Sequence, residues 1–260
     1  MNKIGYVLSG GGARGFAHLG VIKYLEEIGV KPYAISGTSA GAIAGTLYAA
    51  GKSPDEILQL LKTNDFFGWS NLLWRKNGFF SMHVLHQLLK DAIIENDFNA
   101  VKIKLFIAAT DLVKGEEVIL SKGKLFEAVI ASASIPVVFE PVVMADKLLV
   151  DGGVLNNFPI EPLEKMCNII IGSSVNKIAE TISTTSVLST KSIIDRCFHL
   201  AVASSVNSKI NKCAIFIESP LYRFNMHDVT QADAIFEIGY KTAAQHKDKL
   251  LALIKTVSEA

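Results

Sequence analysis

The chain has 260 residues, 50% of them hydrophobic, with 26 basic and 25 acidic side chains and a formal net charge of +1. That length and composition fit one α/β domain, or at most two small ones, and exclude a disordered chain. The even charge balance provides no basic excess, so no nucleic-acid partner is expected.

Residues 3–8 read as a short apolar strand that ends at glycines. Residues 16–28 have helical spacing, with Leu19, Ile22, Leu25 and Ile28 recurring at three-residue steps. A strand at 34–36 and a helix at 40–50 follow, and Gly51 stops the helix. The uncharged run 33–51 is long enough to suggest a membrane span. Its glycines, serines and threonines favour a buried strand, a tight turn and a small-residue helix instead. Ser53 caps the next helix, with Pro54 in its first turn.

Residues 64–80 carry both tryptophans, Trp69 and Trp74, with Phe66, Phe67, Phe79 and Phe80. Two readings stand: an aromatic cap over the core, or an apolar wall, lid or membrane-facing patch at an acyl-chain site. Ser81 caps a helix that runs to about 94. Residues 105–110 form a strand buried on both faces, with 116–120 as its neighbour and 124–132 as a helix. Pro136 and Pro141 bracket a loop. Strand 148–150 ends at Asp151. A buried strand at 168–173, a helix at 193–209, a last strand at 214–217 and a closing helix at 231–254 complete the chain. The Ser/Thr-rich segment 179–191 is the best candidate for a mobile loop. The alternation predicts an α/β fold of three layers, α/β/α, around a mainly parallel central sheet. The N-terminus is a poor signal peptide. Cys167, Cys197 and Cys213 form neither a metal pattern nor a disulfide framework, and read as reduced thiols in a cytosolic protein.

Gly10-Gly11-Gly12-Ala13-Arg14-Gly15 lies between a strand and a helix, where backbone N–H groups gather into an anion site. Gly10, Gly12 and Gly15 fit the dinucleotide fingerprint. That fingerprint demands an acid at the end of the next strand, and Ser36-Gly37-Thr38 stands there. The competing reading is an oxyanion hole in which Gly11, Gly12 and Ala13 aim N–H groups at a tetrahedral intermediate. Gly37-Thr38-Ser39-Ala40-Gly41 is G-x-S-x-G between a strand and a helix, the placement a nucleophile elbow requires. A serine hydroxyl needs a base. Of the six histidines, His18, His83, His86, His199, His227 and His246, none sits at a strand end followed by turn residues. His199 and His246 fall inside helices, and His18, one turn past the Gly loop, reads as structural, with support of that loop as the alternative. Asp151, before Gly152-Gly153 at a strand end, is the better partner, although Asp-Gly alone also reads as an ordinary turn. Burial would raise its pKa and improve its match to a hydroxyl.

Taken together, Gly10 to Gly15, Gly37 to Gly41 and Asp151-Gly152-Gly153 resemble the patatin-like phospholipase family in motif, order and spacing. Ser132-Ala133-Ser134-Ile135-Pro136 and Asn156-Asn157-Phe158-Pro159 agree with it. The resemblance covers roughly residues 3–171, and the C-terminal third carries no motif that can be placed. It implies a single hydrolase domain over 1–260 and a Ser–Asp dyad without histidine, in which Ser39 attacks an ester and Asp151 takes its proton. The Gly10–Gly15 loop would hold the oxyanion, with Arg14 near it. The substrate implied is a lipid or acyl ester, with no cofactor and no metal. The implied setting is cytoplasmic, with transient contact at a membrane surface. Plant storage members carry an acid where Ser9 stands, which points to the bacterial and neuropathy-esterase-like branch. The alternatives are a lipid-binding or interaction module of the same fold without turnover, and nucleotide binding at the Gly loop.

Overall fold

In the computed structural model, which describes residues 3–63, 82–178, 190–226 and 228–258, the strands are β1 (Ile4–Leu8), β2 (Ala34–Thr38), β3 (Lys104–Asp111), β4 (Glu116–Leu120), β5 (Val142–Met144), β6 (Lys147–Asp151), β7 (Ile169–Ser174) and β8 (Ile215–Glu218). The helices are α1 (Phe16–Glu27), α2 (Ala40–Ala49), α3 (Pro54–Thr63), α4 (His83–Ala92), α5 (Leu125–Ala133), α6 (Glu161–Glu164), α7 (Thr190–Asn207), α8 (Ala232–Ala244) and α9 (Lys247–Ser258). One sheet runs in the order β5-β6-β3-β2-β1-β7-β8, with β4 also on β3. Strands β3, β2, β1, β7 and β8 are mutually parallel. The pairings of β4, β5 and β6 are antiparallel.

Period-two alternation sorts the strand residues between two apolar layers. Tyr6, Leu8, Ile35, Ile107 and Ile171 join the cluster built with α1, α2, α5 and α8. Val7, Ala34 and Ile170 face Phe158, Ile160, Leu163 and Val206 on the other side. Both faces of the parallel strands are therefore covered, which is why they read as continuous apolar runs. Ser53 and Glu56 form a reciprocal cap at α3: Glu56 N–H donates to Ser53 Oγ at 3.3 Å, and Ser53 N–H donates to the Glu56 carboxylate at 2.7 Å.

The uncharged run 33–51 is β2, a turn and α2, as expected, and no helix among the described residues is long and apolar enough to cross a membrane. Other expectations are revised. Beyond the loop that Pro136 and Pro141 bracket, where no element was expected, residues 142–144 form β5, which pairs with β6 through a two-residue turn at Ala145 and Asp146. Ala145 takes φ +54 there, a position where glycine or asparagine would have marked the hairpin. The closing helix 231–254 is two helices: His246, expected inside it, lies between α8 and α9, where its N–H bonds Ala243 O at 3.0 Å. Helix α7 starts at Thr190 rather than 193. The aromatic stretch 64–80, Ser81, residues 179–189 of the polar segment and His227 lie outside the described residues.

The edge of β3 decides where the site forms. Lys104 to Ala108 pair with β2, and Ala109 to Asp111 pair with β6. The opposite edge from Ile107 onward is taken by β4, so β2 and β6 share one edge and follow each other along it. Because β2 is parallel to β3 and β6 antiparallel, their carboxyl ends meet head-on: Thr38 lies opposite Ala108 and Asp151 opposite Ala109.

Candidate active site

Ser39 follows Thr38 at that junction with φ 52 and ψ −120. A non-glycine residue in this region is strained, and the strain projects the side chain from a sharp turn. Gly41 makes the turn sterically feasible, since a Cβ there would come within 2.3 Å of Leu8 O. The Ser39 N–H donates to Ser132 Oγ at 2.9 Å, and the Ser132 hydroxyl donates to Ala108 O at 2.6 Å. The S-x-S-x-P segment thereby ties the turn to β3. On the other side, Thr38 Oγ1 donates to Asn156 O at 2.9 Å.

The Ser39 hydroxyl lies beside the Asp151 carboxylate, close enough to lower its pKa. Both side chains are buried. Gly153 N–H also donates to Asp151 Oδ1, at 2.7 Å. Burial is the largest influence on Asp151 and raises its pKa to about 6, while the neighbouring Ser39 hydroxyl and the Gly153 N–H pull it down. Gly152 packs its Cα against Ala108 O, where a Cβ would sit at 2.4 Å. Asp151 is at the carboxyl end of a strand as expected, but of an antiparallel one. It reaches the active edge only because β6 approaches from beyond the end of β2.

The Gly loop lies beside Ser39. A Cβ on Gly10 would be 3.2 Å from Ser39 Cβ, and one on Gly15 would be 2.6 Å from Ala40 Cβ. The structure narrows the expected set of donors. Ala13 N–H bonds Met226 O at 2.7 Å, Gly10 N–H bonds Asn157 O at 3.2 Å, and Arg14 N–H bonds Gly11 O at 3.2 Å. Among the described residues, only Gly11 and Gly12 of the four loop positions Gly10 to Ala13 keep N–H groups without a partner. Arg14 directs its Nε–H to Phe224 O at 2.9 Å, which anchors the loop to the chain after β8.

His18 lies beneath the loop and is fully buried. Its Nε2 is 2.8 Å from Ser9 O, a pure acceptor, so Nε2 carries the proton and Nδ1 accepts from Ser173 Oγ at 2.8 Å. Burial lowers its pKa to about 4, leaving it neutral at pH 7. Among the described residues Ser39 and Asp151 bond no histidine. His86 instead packs edge-on against Phe126 at 5.8 Å. No group of three or more His, Cys, Asp or Glu suited to a metal occurs among the described residues. No sequence motif marks Asn176, and none assigns a role to Ser132 or Asn157. Their only signal was the short stretch around each of the last two.

A family model described as patatin-like phospholipase matches residues 6–164. A patatin-like phospholipase domain-containing protein of Caenorhabditis elegans is 32% identical over 69% of this chain and 14% of its own length. An NTE family protein of Mycobacterium tuberculosis is 29% identical over 67% of this chain and 49% of its own. Lysophospholipase NTE1 of Coccidioides immitis is 25% identical over 95% of this chain and 18% of its own. The chain thus spans between about a seventh and a half of these curated relatives. Among solved structures, VipD from Legionella pneumophila superposes with a TM-score of 0.58 at 16% identity, covering 96% of this chain and 67% of that one.

Proposed function

The chain belongs to the patatin-like phospholipase family, and from that premise we propose that it is a serine lipid acyl hydrolase working through Ser39 and Asp151. The observation that carries this reading is the meeting of Ser39, on its strained turn, with a buried carboxylate at the facing strand end, whose pKa is raised to about 6. As Ser39 Oγ adds to the acyl carbonyl carbon, its proton passes to Asp151. The oxygen that becomes an anion is held by the Gly11 and Gly12 N–H groups. Collapse of the intermediate expels the alcohol, which takes the proton back from Asp151. Water, deprotonated by the same carboxylate, then releases the acyl group from Ser39. A lysophospholipase among the relatives favours glycerophospholipid esters as substrates, met from the aqueous side of a membrane surface.

The test uses p-nitrophenyl esters of graded chain length, with Ser39→Ala and Asp151→Asn alongside the parent chain. Both variants should lose turnover by about 10³-fold or more. A fluorophosphonate probe should label the parent chain at Ser39. Equal turnover in Ser39→Ala would falsify the reading, and an unlabelled Ser39 would favour a binding module without turnover.

A further inference from the structure

The backbone groups of Ser9 and Gly10 and the Ser9 Oγ all have partners. Ser9 N–H donates to Ser173 O at 3.1 Å, and Ser9 O accepts from His18. Ser9 Oγ accepts from Val175 N–H at 3.2 Å and from Asn176 Nδ2 at 3.3 Å. The Gly10 carbonyl accepts from Asn176 Nδ2 at 2.7 Å and from Asn157 Nδ2 at 3.4 Å. A carbonyl oxygen can only accept, so the Asn176 amide is oriented without ambiguity, one N–H on Gly10 O and the other on Ser9 Oγ. Asn176 is 5% exposed and Asn157 is 4% exposed.

The Gly10–Gly11 peptide is trans and planar. In such a unit the C=O and the following N–H point in opposite directions. With its carbonyl drawn to the two asparagine amides, the Gly11 N–H is turned away from them. Gly11 is buried, and its N–H has no partner among the described residues, a condition that a bound ligand would relieve. We infer that Asn176, assisted by Asn157, is a positioning residue that sets the Gly10–Gly11 peptide so that Gly11 N–H is presented to the oxyanion. The inference rests on the Ser39–Asp151 reading and adds a residue 166 positions along the chain from the loop it orients. Without the Asn176 amide, a rotated peptide would offer the oxyanion a carbonyl where it needs a donor.

The experiment compares the parent chain with Asn176→Ala, which removes the donor, and Asn176→Asp, which keeps the shape and replaces the donor with an acceptor. Three readouts are taken on ester substrate: kcat and KM, the pH profile, and inhibition by a trifluoromethyl ketone with the same acyl chain. The ketone forms a hemiketal with Ser39 whose oxyanion mimics the intermediate. Both variants should lose about 10- to 100-fold in kcat, with KM changed less than about threefold. The ketone inhibition constant should rise in parallel. The acid limb near pH 6 should stay in place, because the dyad is intact. Parent-like kcat in Asn176→Asp with Ser39→Ala inactive overturns this inference alone. A fall in kcat with unchanged ketone affinity, or a displaced acid limb, overturns it too, since the residue would then act through the dyad or the fold. Equal turnover in the parent chain and Ser39→Ala removes the dyad reading and this inference with it.

Discussion

Asp151 has a pKa of about 6 in the fold, against about 3.9 for a free aspartate. As a base it must be ionised, so kcat/KM should fall about tenfold per pH unit below 6, a limb read from a pH–rate profile. The same shift sets a stability slope. A carboxylate with a raised folded pKa stabilises the fold when protonated, and that contribution is lost as pH rises from about 4 through 6. Asp151→Asn should therefore be more stable than the parent chain at pH 7.5, by about 1–3 kcal/mol, while losing activity. The gap between their melting temperatures should close as pH is lowered toward 4. His18 has the opposite sign. Its folded pKa is about 4, below the usual 6.5, so its contribution is present above pH 6.5 and lost as pH falls toward 4. In His18→Leu, the melting temperature relative to the parent chain should improve as pH is lowered from 6.5 to 5.

At the scale of elements, the head-on meeting of β2 and β6 depends on how the turn after each strand is fastened to β3. Ser132 bridges Ser39 N–H and Ala108 O, both buried. Ser132→Ala leaves a buried donor and a buried acceptor unpaired, which costs about 1–3 kcal/mol and frees the strained turn at Ser39. Chemical denaturation should show the loss, and kcat should fall by more than the remaining folded fraction accounts for. The three motifs were legible because each is a local steric device: glycines that open a turn, a serine between them, an aspartate before two glycines. The strands and helices around them were legible from periodicity. Strand β5 was not, because its hairpin turn uses Ala145 and Asp146 rather than glycine. The break between α8 and α9 was not, because neither glycine nor proline marks it and apolar spacing continues across His246.

At the scale of the molecule, the C-terminal third shares the core of the motif-bearing part. Ala232, Ile235, Phe236, Ala243 and Leu250 belong to the same buried cluster as Leu19 and Ile22 of α1. Helix α8 lies so close to α1 that a Cβ on Gly239 would fall 2.0 Å from Ala17 O, and one on Gly20 would fall 2.0 Å from Phe236 O. Gly239→Leu should separate the two helices and lower stability by more than about 3 kcal/mol, seen as a large drop in melting temperature. A chain ending before Ala232 should not fold cooperatively, since it would leave the apolar face of α1 uncovered. Circular dichroism melting distinguishes a cooperative transition from its absence.

The amino-acid order alone determined the alternation of strands and helices, the sharp turn at Ser39, the Gly loop and the place of Asp151 at a strand end. Each of these is a demand of backbone sterics or periodicity over a few consecutive residues. Tertiary structure decided that Asp151 arrives on an antiparallel strand, that Ser132 clasps the serine turn across 93 positions, and that Met226 takes the Ala13 N–H. It also decided that Asn176 orients the peptide beside Ser39. Main-chain carbonyls and amides carry these contacts, and every residue but proline offers both. No residue type announces them, and only the packing of distant segments selects which ones meet.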